Sequence, residues 1–156
     1  MESDAVIDVG SSSFVPMLEY CEKNDVFTLW HSMGHACVIH SIITGKDFVD
    51  TCEWFGEIMR RSRHVPSVSA VVWLNPFAGP VEKDGRTFLD TVQYKENRDR
   101  IQDVILMPLP SDVGILGMSS FNEMMAVGET LEEYHRSGEH FIMERQTMIM
   151  FKRKLF

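Results

Sequence analysis

Four short apolar runs, at 5–9, 36–43, 68–74 and 103–108, set the main constraint on how this chain can fold. Each is rich in Val, Ile and Leu, and mostly continuous rather than alternating. A strand buried on one face alternates apolar with polar residues. A continuous run predicts burial on both faces, as in a parallel sheet covered by helices. Helical patterns lie between the runs, at about 14–23, 47–62 and 86–101. In the second of these, Phe48, Cys52, Phe55 and Met59 fall on one stripe, and Thr44-Gly45-Lys46-Asp47 supplies a turn and a cap before it. Beyond the last run the pattern is helical, roughly 117–126, 129–137 and 139–154, with breaks at Gly128 and Gly138. Alternating strand and helix units predict an α/β fold: a three-layer, mostly parallel sheet with flanking helices and right-handed crossovers. The 156 residues suit a single domain, and no repeat, low-complexity tract or long linker divides them.

Composition narrows the function classes. Hydrophobic content of 44% and charged content of 24% are those of an ordinary globular domain. The longest apolar runs are far too short to cross a bilayer, so no membrane partner is expected. The opening Met1-Glu2-Ser3-Asp4 is acidic, unlike the basic start of a signal peptide. Cys21, Cys37 and Cys52 are odd in number and widely spaced, which suits reduced thiols in a cytoplasmic protein. A net charge of −8 repels polyanions overall. Direct DNA contact therefore rests on the basic C-terminus alone, Lys152-Arg153-Lys154. Cations in a last helical turn more often complement the helix dipole.

Several constellations are weighed against bland alternatives. The stretch Ala5-Val6-Ile7-Asp8-Val9-Gly10-Ser11-Ser12-Ser13 places an acid at a strand end before a Gly/Ser turn and a helix start. That layout delivers a carboxylate and backbone N–H groups to a phosphate or its Mg²⁺, and equally serves as an Asx turn or helix cap. Gly10 to Ser13 would also suit a flavodoxin-like phosphate site. An actin-type second Asp-Gly is not found, because Asp84-Gly85 sits in a polar loop. His31, His35, Cys37 and His40 cluster within ten residues, but Gly34 breaks the helix and alternation sends Cys37 and His40 to opposite sheet faces. Val71-Val72-Trp73-Leu74-Asn75-Pro76 ends a strand in an Asn able to read a base edge or to form a turn before Pro. No G-x-S-x-G elbow supports a serine triad, and no G-x-x-x-x-G-K-[ST] phosphate loop is present.

In order along the chain, Val6 to Pro16, Met33 to His40, Val71 to Pro76, Gly85-Arg86-Thr87-Phe88, Ile142 to Gln146 and Lys152 to Phe156 resemble the TraL family of plasmid conjugal-transfer proteins. These lie within the ParA/MinD-type P-loop ATPases. The resemblance runs from about residue 5 to the C-terminus. It implies a P-loop-NTPase-like fold with ATP and Mg²⁺ as cofactors. Asp8 aligns with the acid that helps hold Mg²⁺ and the attacking water, and Gly10 and Ser11 with the adjoining switch turn. Asn75 aligns with the strand-end residue at adenine and Pro108 with the neighbouring base-pocket strand. Val9 departs from the Asn usual beside that acid, and the region 112–134 diverges.

The family pattern also carries a first strand, a phosphate loop with its Lys, a first helix and a second strand, and this chain starts after them. The resemblance therefore implies a truncated domain that does not hydrolyse ATP alone, since phosphoryl transfer is mostly positioning and charge neutralisation at the phosphates. The strand at 5–9 is expected to pair with 36–43, leave a groove, or accept a strand from another chain. An apolar face left bare is expected to drive self-association or contact with another conjugation protein. A second class of function is a docking module for protein or DNA that uses the basic C-terminal helix.

Overall fold

The structure, a computed structural model, describes residues 5–155. The acidic opening at 1–4, Phe156 and the side chain of Ser11 lie outside the described residues. In chain order the elements are α1 (Ser11–Lys23), α2 (Val26–Ser32), β1 (Cys37–Thr44), α3 (Phe48–Arg61), β2 (Val68–Asn75), β3 (Glu82–Lys83), β4 (Arg86–Thr87), α4 (Val92–Asn97), β5 (Ile101–Leu106), α5 (Gly117–Val127), α6 (Leu131–Arg136) and α7 (Ile142–Leu155). The protein is thus mixed α/β, with a parallel three-stranded sheet in the order β1-β2-β5. Cys37 pairs with Val68 and the register runs unbroken to Thr44 opposite Asn75. Between β2 and β5 the register slips after Ala70–Ile101, so Gln102 is an extra residue before Val71–Asp103.

One sheet face is packed, and the expected α3 stripe packs it. Phe48, Cys52, Phe55 and Met59 are all buried, together with Ile43, Ala70 and Val72 from the strands and Leu18 from α1. Phe88 joins them, its ring 5.5 Å from that of Phe55. Each Val, Leu, Ile, Phe or Met side chain among them, taken out of water, contributes about 1.5–3 kcal/mol. At the start of the strands a second cluster forms from Cys21, Phe27, Val65 and Val68. Gly45, just past β1, lies against the chain that follows β2: a Cβ there would sit 2.2 Å from the Gly79 carbonyl oxygen.

The other face corrects the expected third layer. Val38 and Ile42 on β1 are 41% and 54% exposed, and His40 between them is exposed. Trp73 on β2 donates its indole N–H to His40 Nδ1 at 3.0 Å. Among the described residues α1 and α3 both pack on the first face, giving two layers where continuous apolar strands had predicted three. The expected strand at 5–9 is also absent: 5–10 is irregular, with Val6 99% and Ile7 66% exposed. β1 is an edge strand of the sheet, yet 5–9 does not pair with it, so the expected pairing with 36–43 is not made.

The helix expected over 86–101 is broken by its own caps. Asp90 accepts hydrogen bonds from the Thr87 N–H and hydroxyl, both at 2.9 Å, and ends a short 3-10 turn. Thr91 then caps α4 by accepting from the Tyr94 N–H at 3.2 Å. Asp84 and Gly85, at φ 52° and 72°, form the two-residue turn of the β3–β4 hairpin. Toward the C-terminus, α5, α6 and α7 build their own core from Val113, Met124, Tyr134, Met148 and Phe151.

Candidate functional site

Ligands of open parallel sheets sit beyond the carboxyl ends of the strands, and three strand ends converge there. β2 ends at Asn75 and β5 runs out through Met107 to Pro108. The Met107 N–H donates to the Leu74 carbonyl at 2.9 Å, which carries the ladder one step on and sets Met107 beside Asn75, with Pro108 one residue further out. The two residues assigned to the base side therefore lie at the same end of the sheet, one register step apart. Asn75 already has local work: its Oδ1 accepts from the Phe77 N–H at 3.0 Å and caps the 3-10 turn Pro76–Ala78. Its amide N–H₂ makes no hydrogen bond among the described residues.

α1 brings the other candidates to the same end. Cys21 packs with Val65 and Val68, at the start of the strands, whereas Phe14 packs in the cluster around Ile43 and Phe55. The helix therefore runs against the strands, and its N-terminus points toward their carboxyl ends. Gly10 occupies the N-cap position in extended conformation and its carbonyl accepts from the Ser13 N–H at 2.9 Å. Among the described residues neither a side-chain cap nor an acid occupies the first turn. Asp8 is exposed and makes no side-chain hydrogen bond or ion pair among the described residues. Asn75 and Pro108 thus share one end of the sheet, and Asp8 and Gly10 make no hydrogen bond to either.

The basic C-terminus is engaged within the fold. Lys152 pairs with Glu132, and Lys154 Nζ donates to the Asp112 carbonyl at 3.2 Å. Among the four residues weighed as a metal cluster, His31 and His35 are exposed and His40 accepts from Trp73. All three cysteines are free thiols. No helix of the described residues is long and apolar enough to cross a membrane.

Two features escaped the sequence. A groove of about 830 Å³ lies between the β3–β4 hairpin, the start of α3 and α4, lined by Phe48, Lys83, Arg86, Asp90 and Lys95. It exists because Asp84-Gly85 turns a hairpin, a pairing that Asp-Gly favours. The second is a histidine–glutamate cluster in the C-terminal helices, drawn from residues far apart in the sequence.

These features define a parallel α/β domain, covered on one face, that carries an appended three-helix unit. Over 156 residues the chain is 35% identical to one curated Protein TraL of Escherichia coli and 33% identical to another. Each alignment covers 99% of this chain and 63% of the relative. The chain is thus similar to Protein TraL, and spans somewhat less than two thirds of the length of the curated relatives it matches. No protein-family model matches the sequence, and no solved structure matches it.

Proposed function

We propose that this chain serves conjugal plasmid transfer and supplies the base-side and switch-side parts of a ParA/MinD-type nucleotide domain. The observation that carries this reading is the similarity to Protein TraL along essentially the whole chain. It is supported by the placement of Asn75 and Pro108 at the same, carboxyl end of a parallel sheet. In this reading Asn75 and Pro108 border an adenine, Gly10 and Ser11 form the switch turn, and Asp8 holds Mg²⁺ directly or through water.

The residues present do not fit the triphosphate itself. No phosphate loop and no phosphate-gripping Lys occur in the sequence, and Gly10 has nothing within 4 Å of where a Cβ would stand. No catalytic step follows from these residues, and the chain by itself does not hydrolyse ATP. Calorimetric titration with ATP and with ADP, each with and without Mg²⁺, tests the base side, alongside measurement of phosphate release. Weak binding of both nucleotides without phosphate release is expected. An Mg²⁺-dependent hydrolysis rate that disappears in Asp8→Asn would overturn the non-catalytic reading. For the biological role, removal of the gene from a donor strain should lower plasmid transfer in a mating assay, and resupply should restore it.

Self-association belongs to the same reading. Val38, Ile42 and Trp73 present apolar surface on the open sheet face. Among the described strand residues Asp103 is the one carboxylate on that face, so an identical face meets little repulsion. Sedimentation at micromolar concentration should show dimers, reduced by Ile42→Thr. A monomer throughout that range excludes this association.

A further inference from the structure

We propose that Glu123, His140 and Glu144 form a binding site for one divalent transition-metal ion, with Glu129 as the residue that orients the histidine. The three come from α5, the turn after α6, and α7, and each offers a ligand atom within 4.8 Å of the other two. The His140 side chain is only 9% exposed, while that of Glu123 is 49% exposed and gives an ion a way in.

The histidine is set up for ligation. Its Nε2 lies 2.8 Å from Glu129 Oε2, so the proton belongs on that nitrogen and is donated to the carboxylate. In the neutral ring, the form that ligates a metal, Nδ1 then keeps its lone pair. That lone pair faces Glu123 Oε1 at 3.6 Å, beyond hydrogen-bond reach, so two acceptors look at each other. A metal cation between them converts this repulsion into two bonds. A carboxylate on one imidazole nitrogen and a metal on the other is the usual arrangement at protein metal sites.

The neighbours hold the ligands still. The Tyr134 ring stacks on His140 at 3.7 Å and 15°, and its hydroxyl donates to Glu123 Oε2 at 2.9 Å. Glu144 accepts from the Phe141 N–H at 2.9 Å through Oε2. Each carboxylate therefore has one oxygen committed to the fold and one to spare. Ser120 Oγ, in a residue only 1% exposed, lies beside the Tyr134 hydroxyl and has no other hydrogen-bond partner. A buried hydroxyl with bonding capacity to spare, next to the tyrosine that holds Glu123, suits a water carried by the ion.

One imidazole with two carboxylates favours Zn²⁺, which takes both donor types, over Mg²⁺, which prefers oxygen alone. The site is independent of the nucleotide reading. An ion there would tie α5, α6 and α7 together around their small core.

Calorimetry of the full chain with Zn²⁺ alone, and separately with Mg²⁺, tests it. One Zn²⁺ per chain should bind, with Mg²⁺ at least tenfold weaker. Glu123→Gln and Glu144→Gln keep the acceptor oxygens used by Tyr134 and Phe141, so they should stay folded yet bind Zn²⁺ at least tenfold more weakly. Glu129→Gln should weaken it by about 10–100-fold. In the unsubstituted protein, nitrogen NMR should show a ligation shift at His140 Nδ1 on adding Zn²⁺. An absence of Zn²⁺ binding overturns the proposal, and so does equal affinity in the variants. The latter places the ion on other side chains, the thiols of Cys21 and Cys37 included.

Discussion

Arg100 reaches across from the turn before β5 to Ser62 at the end of α3, where Nη2 donates to the Ser62 carbonyl at 3.1 Å and to its hydroxyl at 3.0 Å. Nη1 donates to the Met59 carbonyl at 2.8 Å and Nε to the Val68 carbonyl at 3.2 Å. One guanidinium thus satisfies the open carbonyls of a helix end and the first residue of the central strand. Burial pushes its pKa down, but the fork of donors stays charged.

Removing that fork strands three carbonyls among buried Met59, Ser62 and Val68. Hydrogen bonds from a charged donor contribute about 1.5–3 kcal/mol each, partly recovered by water. Arg100→Ala should cost about 3 kcal/mol of unfolding free energy in a urea titration. Arg100→Lys should recover only a fraction, because an ammonium cannot span three carbonyls in a plane. A loss below about 1 kcal/mol would show that the pin is decorative.

On the exposed side of α3, hydrogen bonds from Arg60 and Arg61 hold the Glu57 carboxyl down to about 2, from an ordinary 4.5. A carboxyl depressed in the folded state stabilises above its unfolded pKa and loses that contribution as pH falls from about 4.5 through 2. The side chain is 37% exposed, so screening keeps the gain under about 1 kcal/mol. Melting curves of the protein and of Glu57→Gln should differ at pH 7 and converge toward pH 2. A constant gap would remove Glu57 as its source.

What was legible in the sequence follows from locality. The α3 stripe from Phe48 to Met59 is a property of one helix, and it buries as its spacing predicts. β1 and β2 were legible as strands, but apolar runs do not say whether a second cover is present, so Val38 and Ile42 ended exposed. The segment 5–9 looked like a strand by composition and is none, because a strand needs a neighbour that residue content cannot supply. The break at Thr87 to Thr91 was legible in principle, since Thr-x-x-Asp is a cap signature that competes with helix continuation. Asn75 was found from a strand end and Pro108 from the family resemblance, and the pairing of β2 with β5 sets both at one end of the sheet. Glu123, Glu129, His140 and Glu144 were not, because three helices must pack before they meet.

Cys52 shows how the packed face controls chemistry. Burial, with a smaller effect from the Glu53 charge, pushes its thiol up to about 11. At pH 8 the thiolate fraction is then roughly a thousandth. Alkylation by iodoacetamide should label Cys52 far more slowly than a peptide cysteine, and at the peptide rate once urea unfolds the chain. Rapid labelling under native conditions would mean that the face below α3 opens freely.

The two jobs of Asn75 can be separated by which atom each one uses. The turn at Pro76–Ala78 needs only the acceptor Oδ1, whereas an adenine edge needs the donor N–H₂ as well. Asn75→Ala should lose about 1 kcal/mol of stability along with the cap. Asn75→Asp keeps an acceptor for the Phe77 N–H and should restore stability. Having no amide donor, and adding charge beside a base, the carboxylate should not restore ATP binding measured by calorimetry. If Asn75→Asp rescued both, the side chain would be a turn former alone, and the base-side assignment of Asn75 would fall with it.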